Sequence, residues 1–214
     1  MNNIKKIVLL AIGLTFALGA YLFPSMPTLM ASHWGTDGQV NGYMPKFWAL
    51  FLLPMVTLAI YGLFTVLPII DPLKSNYKKF AQYYDRFLAM FVGFMIYIHA
   101  LTILFNKGIG FNMSAALIPA MAALFYTIGT VLGNTKQNWF IGIRTPWTLS
   151  SEKVWGKTNK LGAKIFKIIA LLSLVLVFMG DFGFIIFVGI IIIPSFYLIL
   201  YSYLEYKKEK RPLE

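Results

Sequence analysis

Long apolar stretches, separated by short polar ones, run along almost the whole chain. Six of them approach or reach the roughly 20 residues that a helix needs to cross a hydrocarbon core of about 30 Å. They are residues 7–23, 47–70, 87–105, 113–133, 165–180 and 182–203. Because no water is present at that depth to satisfy the backbone, each stretch is predicted to be a helix. The pattern therefore predicts an all-α membrane protein with six transmembrane helices.

The composition agrees with a membrane protein and argues against an enzyme. Hydrophobic residues make up 58% of the chain and charged residues 13%, outside the range of ordinary soluble domains. The absence of cysteine excludes a disulfide framework, a thiolate nucleophile and a cysteine-type metal site. The sequence also lacks HExxH, GxSxG and P-loop motifs and a carboxylate pair within a span. We therefore predict no catalysis and no cofactor, and no metal site either, since His33 and Asp37 lack enough neighbouring ligands.

The basic residues predict how the helices are inserted. With a cytoplasmic N-terminus, 17 of the 19 lysines and arginines and six of the eight acids lie on the cytoplasmic side. The net charge is then +11 inside and zero outside. By the positive-inside rule, both termini are predicted to be cytoplasmic. Since this charge is spread over four segments beside the anionic inner leaflet, direct nucleic-acid binding is the poorer explanation.

The connections divide the chain into two predicted units. Residues 1–70 form a two-helix unit with a structured external loop, loop 1, at residues 24–46. Residues 71–214 form a four-helix unit with a basic cytoplasmic loop, loop 4, at residues 134–164; loop 2 is residues 71–86. In the fourth span, Gly129 and Gly133 form a GxxxG pattern. Such small residues let helix backbones approach closely, so this span is predicted to be central in the bundle.

Loop 1 combines turn-forming residues with two conspicuous side chains, His33 and Trp34. Its glycines and asparagines predict a compact, structured turn region rather than a helix. The residues that we expect to face a ligand are Pro27, His33, Trp34, Gly35, Gly38 and Gly42. Because histidine changes charge near neutral pH, His33 could gate or bind a ligand. The alternative is that His33 pins the loop to a backbone carbonyl.

Loop 4 is polar, basic and rich in tryptophan, unlike the rest of the chain. Pro146 disfavours a helical conformation at Thr145, so residues 142–146 are predicted to be extended. A helix is then expected from near Ser150, capped by Ser150 or Ser151. Arg144, a lone guanidinium on a short rigid loop, suits a fixed bidentate contact.

Five lysines follow at spacings of 4, 3, 4 and 3, which places them on one helix face. They are Lys153, Lys157, Lys160, Lys164 and Lys167. Val154 and Trp155 belong to the opposite, apolar arc. The pattern predicts a helix that lies in the inner headgroup layer and then turns into the fifth span. The lysines either anchor this helix by snorkelling or form a docking surface for a cytosolic partner or lipid.

His99 lies within the third span. An ionisable group at this depth is by default a functional hypothesis. We favour a structural role, because a neutral imidazole that bonds to another helix would be satisfied there. The functional alternative is a small-solute or lipid transporter that uses a cavity near His99.

Two segments resemble a known family. Residues 140–162 resemble the signature of the SdpI/YfhL family of bacterial and archaeal membrane proteins. The matching positions are Gly142, Arg144, Thr145, Pro146, Trp155 and Asn159. Lys160 stands where many relatives have Arg or His, a departure that keeps the charge. Loop 1 is similar to the uncharacterised domain often fused ahead of that family, through Pro27, His33, Gly35, Gly38, Pro45 and Lys46.

The resemblance implies a function. The family's type member is a six-span immunity protein against a secreted sporulation-delay peptide toxin, and it also holds a cytosolic repressor at the membrane. For this chain the resemblance implies a multi-pass cell-membrane protein whose loop 1 meets a toxin. It further implies a cytoplasmic surface for a partner or lipid, formed by the six signature positions with Lys153, Lys157 and Lys160. The expected partners are membrane lipids, a secreted peptide toxin and a cytosolic repressor; a membrane enzyme acting through His33 is the weakest alternative.

Overall fold

The computed structural model describes residues 3–210, with only the backbone described at Gly180 and Asp181. Residues 211–214, which the charge count and the second predicted unit include, lie outside the described residues. Within the described part, eight α-helices and one pair of strands follow one another. The helices are α1 Asn3–Leu22, α2 Lys46–Ile70, α3 Lys74–Tyr77, α4 Ala81–Asn106, α5 Met113–Asn134, α6 Pro146–Ser150, α7 Glu152–Leu176 and α8 Gly180–Lys210. The strands are β1 Leu29–Trp34 and β2 Val40–Pro45.

The prediction of six transmembrane helices is confirmed. Among the described residues, six helices are long and apolar enough to cross a membrane: α1, α2, α4, α5, α7 and α8. Helix α4 begins at Ala81, six residues before the predicted span. The first turns of α4 thus precede the apolar run, and Tyr84 and Asp85 are buried there. The direction in which the helices cross the membrane stays a prediction.

Helix α7 differs from the predicted interfacial helix that turns into the fifth span. It runs from Glu152 to Leu176 as a single helix, and the Ser151 hydroxyl caps it by accepting from the Val154 N–H. Gly162 and Ala163, at the predicted junction, are buried, so close packing keeps the helix continuous there. The predicted Ser151 cap is thus confirmed and the predicted turn is wrong.

Helix α5 packs against α4, α7 and α8, as its small residues predict. A Cβ atom at Gly129 would lie 2.8 Å from the Ala163 carbonyl oxygen of α7. A Cβ atom at Gly133 would lie 3.3 Å from the Ala163 side chain. The GxxxG pattern therefore lets the α5 and α7 backbones approach more closely than larger residues would allow.

Loop 1 forms an antiparallel β-hairpin rather than an irregular turn region. β1 pairs with β2, with an irregular register around His33. The turn places Gly38 at φ +73°, a conformation that favours glycine. The Asn106 side chain at the end of α4 pairs with the backbone of Ala31, accepting from its N–H at 2.7 Å and donating to its carbonyl at 3.0 Å. The prediction of a compact loop is confirmed. The strands were not predicted, because Gly42 interrupts β2 and Pro45 ends it, which weakens the strand pattern in the sequence.

Candidate functional site

The predicted site residues lie at two opposite ends of the bundle. The hairpin end carries loop 1 together with the α4–α5 connection, to which Asn106 ties it. The loop 4 end carries loop 2, loop 4 and the last turns of α8. Loop 2 contacts loop 4 there, where the Asn76 amide donates to the Gln137 carbonyl at 2.8 Å.

A cavity of about 920 Å³ lies beneath the hairpin. We call it the hairpin cavity. It is lined by the hairpin and by α2, α4, α5 and α8, and the lining includes Trp48, Leu52, Leu53, Ile98, Leu117 and Phe184. Ser32, Asp37, Thr102 and Ser114 add polar groups to this mainly apolar wall. A volume of this size falls in the range of small-molecule and peptide side-chain pockets.

The fold brings several of the predicted ligand-facing residues to this cavity. His33, Trp34 and Gly35 line it from the hairpin, and His99 lines it from α4. Pro27 is exposed outside the cavity. Gly38 faces the Asn112 side chain, which would clash with a Cβ atom there. A Cβ atom at Gly42 would approach that of His33 to 3.0 Å, so this glycine makes room for the histidine.

The two histidines make different contacts. His33 Nδ1 bonds to the Asn41 side-chain oxygen, so its partner is a carboxamide and not the backbone carbonyl of the structural alternative. Because an amide oxygen only accepts, Nδ1 carries the proton in this pair. His99 is buried, and its Nε2 donates to the Leu50 carbonyl of α2 at 3.0 Å. This is the interhelical bond that the structural interpretation of His99 predicted.

Trp34 holds a polar atom without a partner. Its ring stands edge to face with Phe105 at a centroid distance of 5.3 Å. Its Nε1 is buried and has no hydrogen-bond partner among the described residues. A buried donor left unpaired costs about 1–3 kcal/mol. The cavity wall therefore includes an unused indole donor.

At the other end, two residues that sequence reasoning missed organise loop 4. Asn138 is fully buried, and its side-chain oxygen accepts from the Phe140 and Ile141 N–H groups at 2.9 and 2.6 Å. Asp71, also buried, accepts from the Trp139 N–H at 2.9 Å and from the Tyr77 hydroxyl at 3.2 Å. Burial, and then the charge of Asp71, raise the pKa of Tyr77. The only sequence signal for these roles is that Asp71 and Asn138 are polar residues near the starts of loops 2 and 4.

Three signature residues are interior residues. Trp155 and Asn159 are 2% and 1% exposed, and Thr145 is also buried. The Trp155 indole donates to the Thr135 carbonyl at 3.4 Å. These three side chains therefore stabilise loop 4 in this conformation and are not available as the expected partner surface.

Thr145 has a further role that the sequence indicated in part. The Thr145 backbone is extended, as Pro146 predicts. Thr145 caps the short helix α6 through a reciprocal pair of hydrogen bonds with Thr148. Its hydroxyl also lies 2.9 Å from that of Ser202, which ties loop 4 to α8. Helix α6 itself was not predicted, although a Thr-Pro start is a common beginning for a helix.

The charged residues of loop 4 remain at the surface. Lys153, Lys157 and Lys160 are exposed on one face of α7. Lys157 pairs with Glu205 of α8 at 2.5 Å, which engages it within the chain. Arg144 is exposed and donates to the Trp139 carbonyl at 2.7 Å through Nη1, a single contact in place of the expected bidentate one.

Within residues 3–210 no three His, Asp or Glu side chains lie close enough together to hold a metal ion.

The fold and these two ends define a multi-pass membrane protein with a hairpin-covered cavity at one end and an internally bonded basic loop at the other. Residues 134–202 match the SdpI/YfhL protein family, and residues 10–58 match a domain of unknown function, DUF1648. The chain is 27% identical over 210 residues to the immunity protein SdpI of Bacillus subtilis strain 168, covering 97% of each chain. No solved structure matches. The resemblance to this family is therefore confirmed.

Proposed function

We propose that this protein is a cell-membrane immunity protein that gives resistance to a secreted peptide toxin. The similarity to the immunity protein SdpI carries the proposal, because it extends over 97% of both chains and so includes both loop 1 and loop 4. The function is non-enzymatic: it rests on binding at the hairpin end.

The hairpin cavity is the site that we assign to the toxin. Its wall is mainly apolar, with Trp48 and Phe184 among its large side chains. Burial of apolar side chains in such a wall provides affinity, while a few polar groups fix orientation. The unpaired Trp34 Nε1 offers a donor that a peptide carbonyl would satisfy if the wall opens around it. His33 and Asp37 stand at the same cavity and supply polar contacts.

The loop 4 end is the surface that we assign to a cytosolic repressor. Lys153, Lys160 and Arg144 are exposed there, and they would present positive charge to an acidic partner. Trp155 and Asn159 support this surface from inside. Recruitment would therefore depend on the exposed cations, with the buried signature residues holding their positions.

The test is the membrane potential of a toxin-sensitive host, with and without this protein, after addition of a sporulation-delay peptide. We expect the potential to be preserved in expressing cells and to collapse in the others. Charge removal at Lys153 and Lys160 should leave protection intact and abolish recruitment of a repressor to the membrane. Equal collapse of the potential in both cultures would remove this toxin as the ligand.

A second candidate function, small-solute or lipid transport, is favoured by one observation: His99 lines the cavity within the membrane span. Uptake into vesicles that contain the purified protein would test it. Transport that is lost in His99→Ala, with toxin survival unchanged, would favour a transporter. Loss of protection in that variant without any measurable transport would favour immunity.

A further inference from the structure

A second pocket, of about 410 Å³, lies at the loop 4 end, between the start of α1, the end of α2 and loop 2. Its lining includes Lys5, Pro68, Lys74, Lys78, Tyr84 and Asp85. We call it the loop 2 pocket. It shares no lining residue with the hairpin cavity, and none of these six residues belongs to the loop 4 signature.

The pocket carries a net positive charge. Lys5 Nζ lies 3.7 Å from the Asp85 carboxylate, so these two charges offset each other. Lys74 and Lys78 are both exposed and stand four residues apart, in helical backbone geometry that places them on the same side. Two ammonium groups at the mouth of one pocket are suited to a phosphate group.

The surface around the pocket is apolar, a feature that the binding of a free anion would not require. Ile69 and Ile70, which follow Pro68 at the end of α2, are 66% and 57% exposed. Leu9, one turn after Lys5 on the same face of α1, is 38% exposed. The lysines therefore stand where lipid-facing surface ends and polar loops begin. Basic pockets at this depth between transmembrane helices are suited to lipid headgroups.

We infer that the loop 2 pocket binds the headgroup of an anionic phospholipid. Lys74 and Lys78 contact the phosphate, and the acyl chains lie along the exposed apolar residues of α1 and α2. The ligand holds loop 2 against the first two spans. This assignment does not depend on the proposed immunity function.

Native mass spectrometry of the full chain in an uncharged detergent, titrated with phosphatidylglycerol, tests the inference. The pocket variant is the double substitution Lys74→Gln and Lys78→Gln. The matched control is Lys6→Gln and Lys79→Gln, since these exposed neighbours do not line the pocket and the change in charge is identical. We expect the lipid concentration for half-loading to rise roughly thirtyfold in the pocket variant and to stay unchanged in the control.

Three results would overturn the inference. An equal loss in both variants would mean general attraction to basic surface, and equal loading by phosphatidylcholine would mean no headgroup recognition. Displacement of short-chain phosphatidylglycerol by inorganic phosphate at equal concentration would assign the pocket to a free anion. Thermal unfolding of each variant confirms folding. If the double variant does not fold, each single lysine substitution should raise the half-loading concentration about fivefold.

Discussion

The Asn159 side-chain oxygen accepts a hydrogen bond from the Ile143 N–H at 2.8 Å. This bond joins the extended part of loop 4 to a helix 16 residues further along the chain. The Asn159 amide nitrogen donates in turn to the Trp155 carbonyl at 3.1 Å. One buried carboxamide thus fixes both the loop backbone and the helix that presents the exposed lysines.

Replacement of Asn159 by leucine should destabilise the protein. The similar volume fills the site, but the partly buried Ile143 N–H loses its acceptor, which costs up to about 1–3 kcal/mol. Thermal unfolding in detergent measures the loss. The adjacent Lys160→Gln, at an exposed position, is the control and should unfold at the wild-type temperature. A wild-type unfolding temperature for Asn159→Leu would contradict the assigned role.

Replacement of Gly142 by alanine should destabilise loop 4 for a different reason. Gly142 has φ +128°, and a Cβ atom there would lie 2.9 Å from the Trp155 ring. Backbone strain of this kind costs about 1–3 kcal/mol before the clash is counted. Gly156→Ala is a matched control, because nothing lies within 4 Å of its Cβ position in helix α7. That control should be neutral or stabilising by up to about 1 kcal/mol, so equal destabilisation of both variants would refute the argument.

Replacement of Asn106 by leucine should loosen the hairpin without unfolding the bundle. The Ala31 N–H and carbonyl then lose their shared partner at the end of α4. We expect faster amide hydrogen exchange in β1 and β2, with unchanged exchange in α5 and α7. Ser32→Ala is a milder control, since the Ser32 hydroxyl makes one long bond of 3.4 Å to the Gly42 carbonyl. Unchanged exchange in the Asn106 variant would show that the hairpin is held by other contacts.

Filling the hairpin cavity should reduce protection against the toxin. Leu117 lines the cavity from α5, so Leu117→Trp occupies its volume. Leu124, two turns further along the same helix, is similarly half-buried but does not line the cavity, and Leu124→Trp is the control. Survival of expressing cells at graded toxin doses measures the difference. Equal survival of the two variants would place the toxin site elsewhere.

Some of the candidate site was readable from the sequence. Turn residues predicted a compact loop 1, and Pro146 predicted the extended Thr145. Ser150 or Ser151 was expected to cap the following helix, and Ser151 does so. Each of these features is determined within a few residues, so local backbone preferences suffice to predict it.

Other features depended on residues far apart in the sequence. Trp155 and Asn159 carry no mark of burial in a basic, polar loop, and only contacts with Thr135 and Ile143 place them inside. Asp71 was counted as a loop charge, yet it accepts bonds from loop 4 across 68 positions. Such burial follows from long-range packing, which no local pattern encodes.

The sequence by itself determined that this chain crosses the membrane six times, because the cost of unsatisfied backbone in lipid makes each long apolar run a helix. It also placed the main loops, although α4 and α7 begin inside the predicted loops 2 and 4. The family resemblance came from residues of loops 1 and 4. Only the tertiary structure decided that His33 and His99 line one cavity and that three of the six signature residues of loop 4 are interior. The physical reason is that cavities and buried hydrogen bonds form between helices that are far apart in the sequence. Which of these helices come into contact is decided by helix packing.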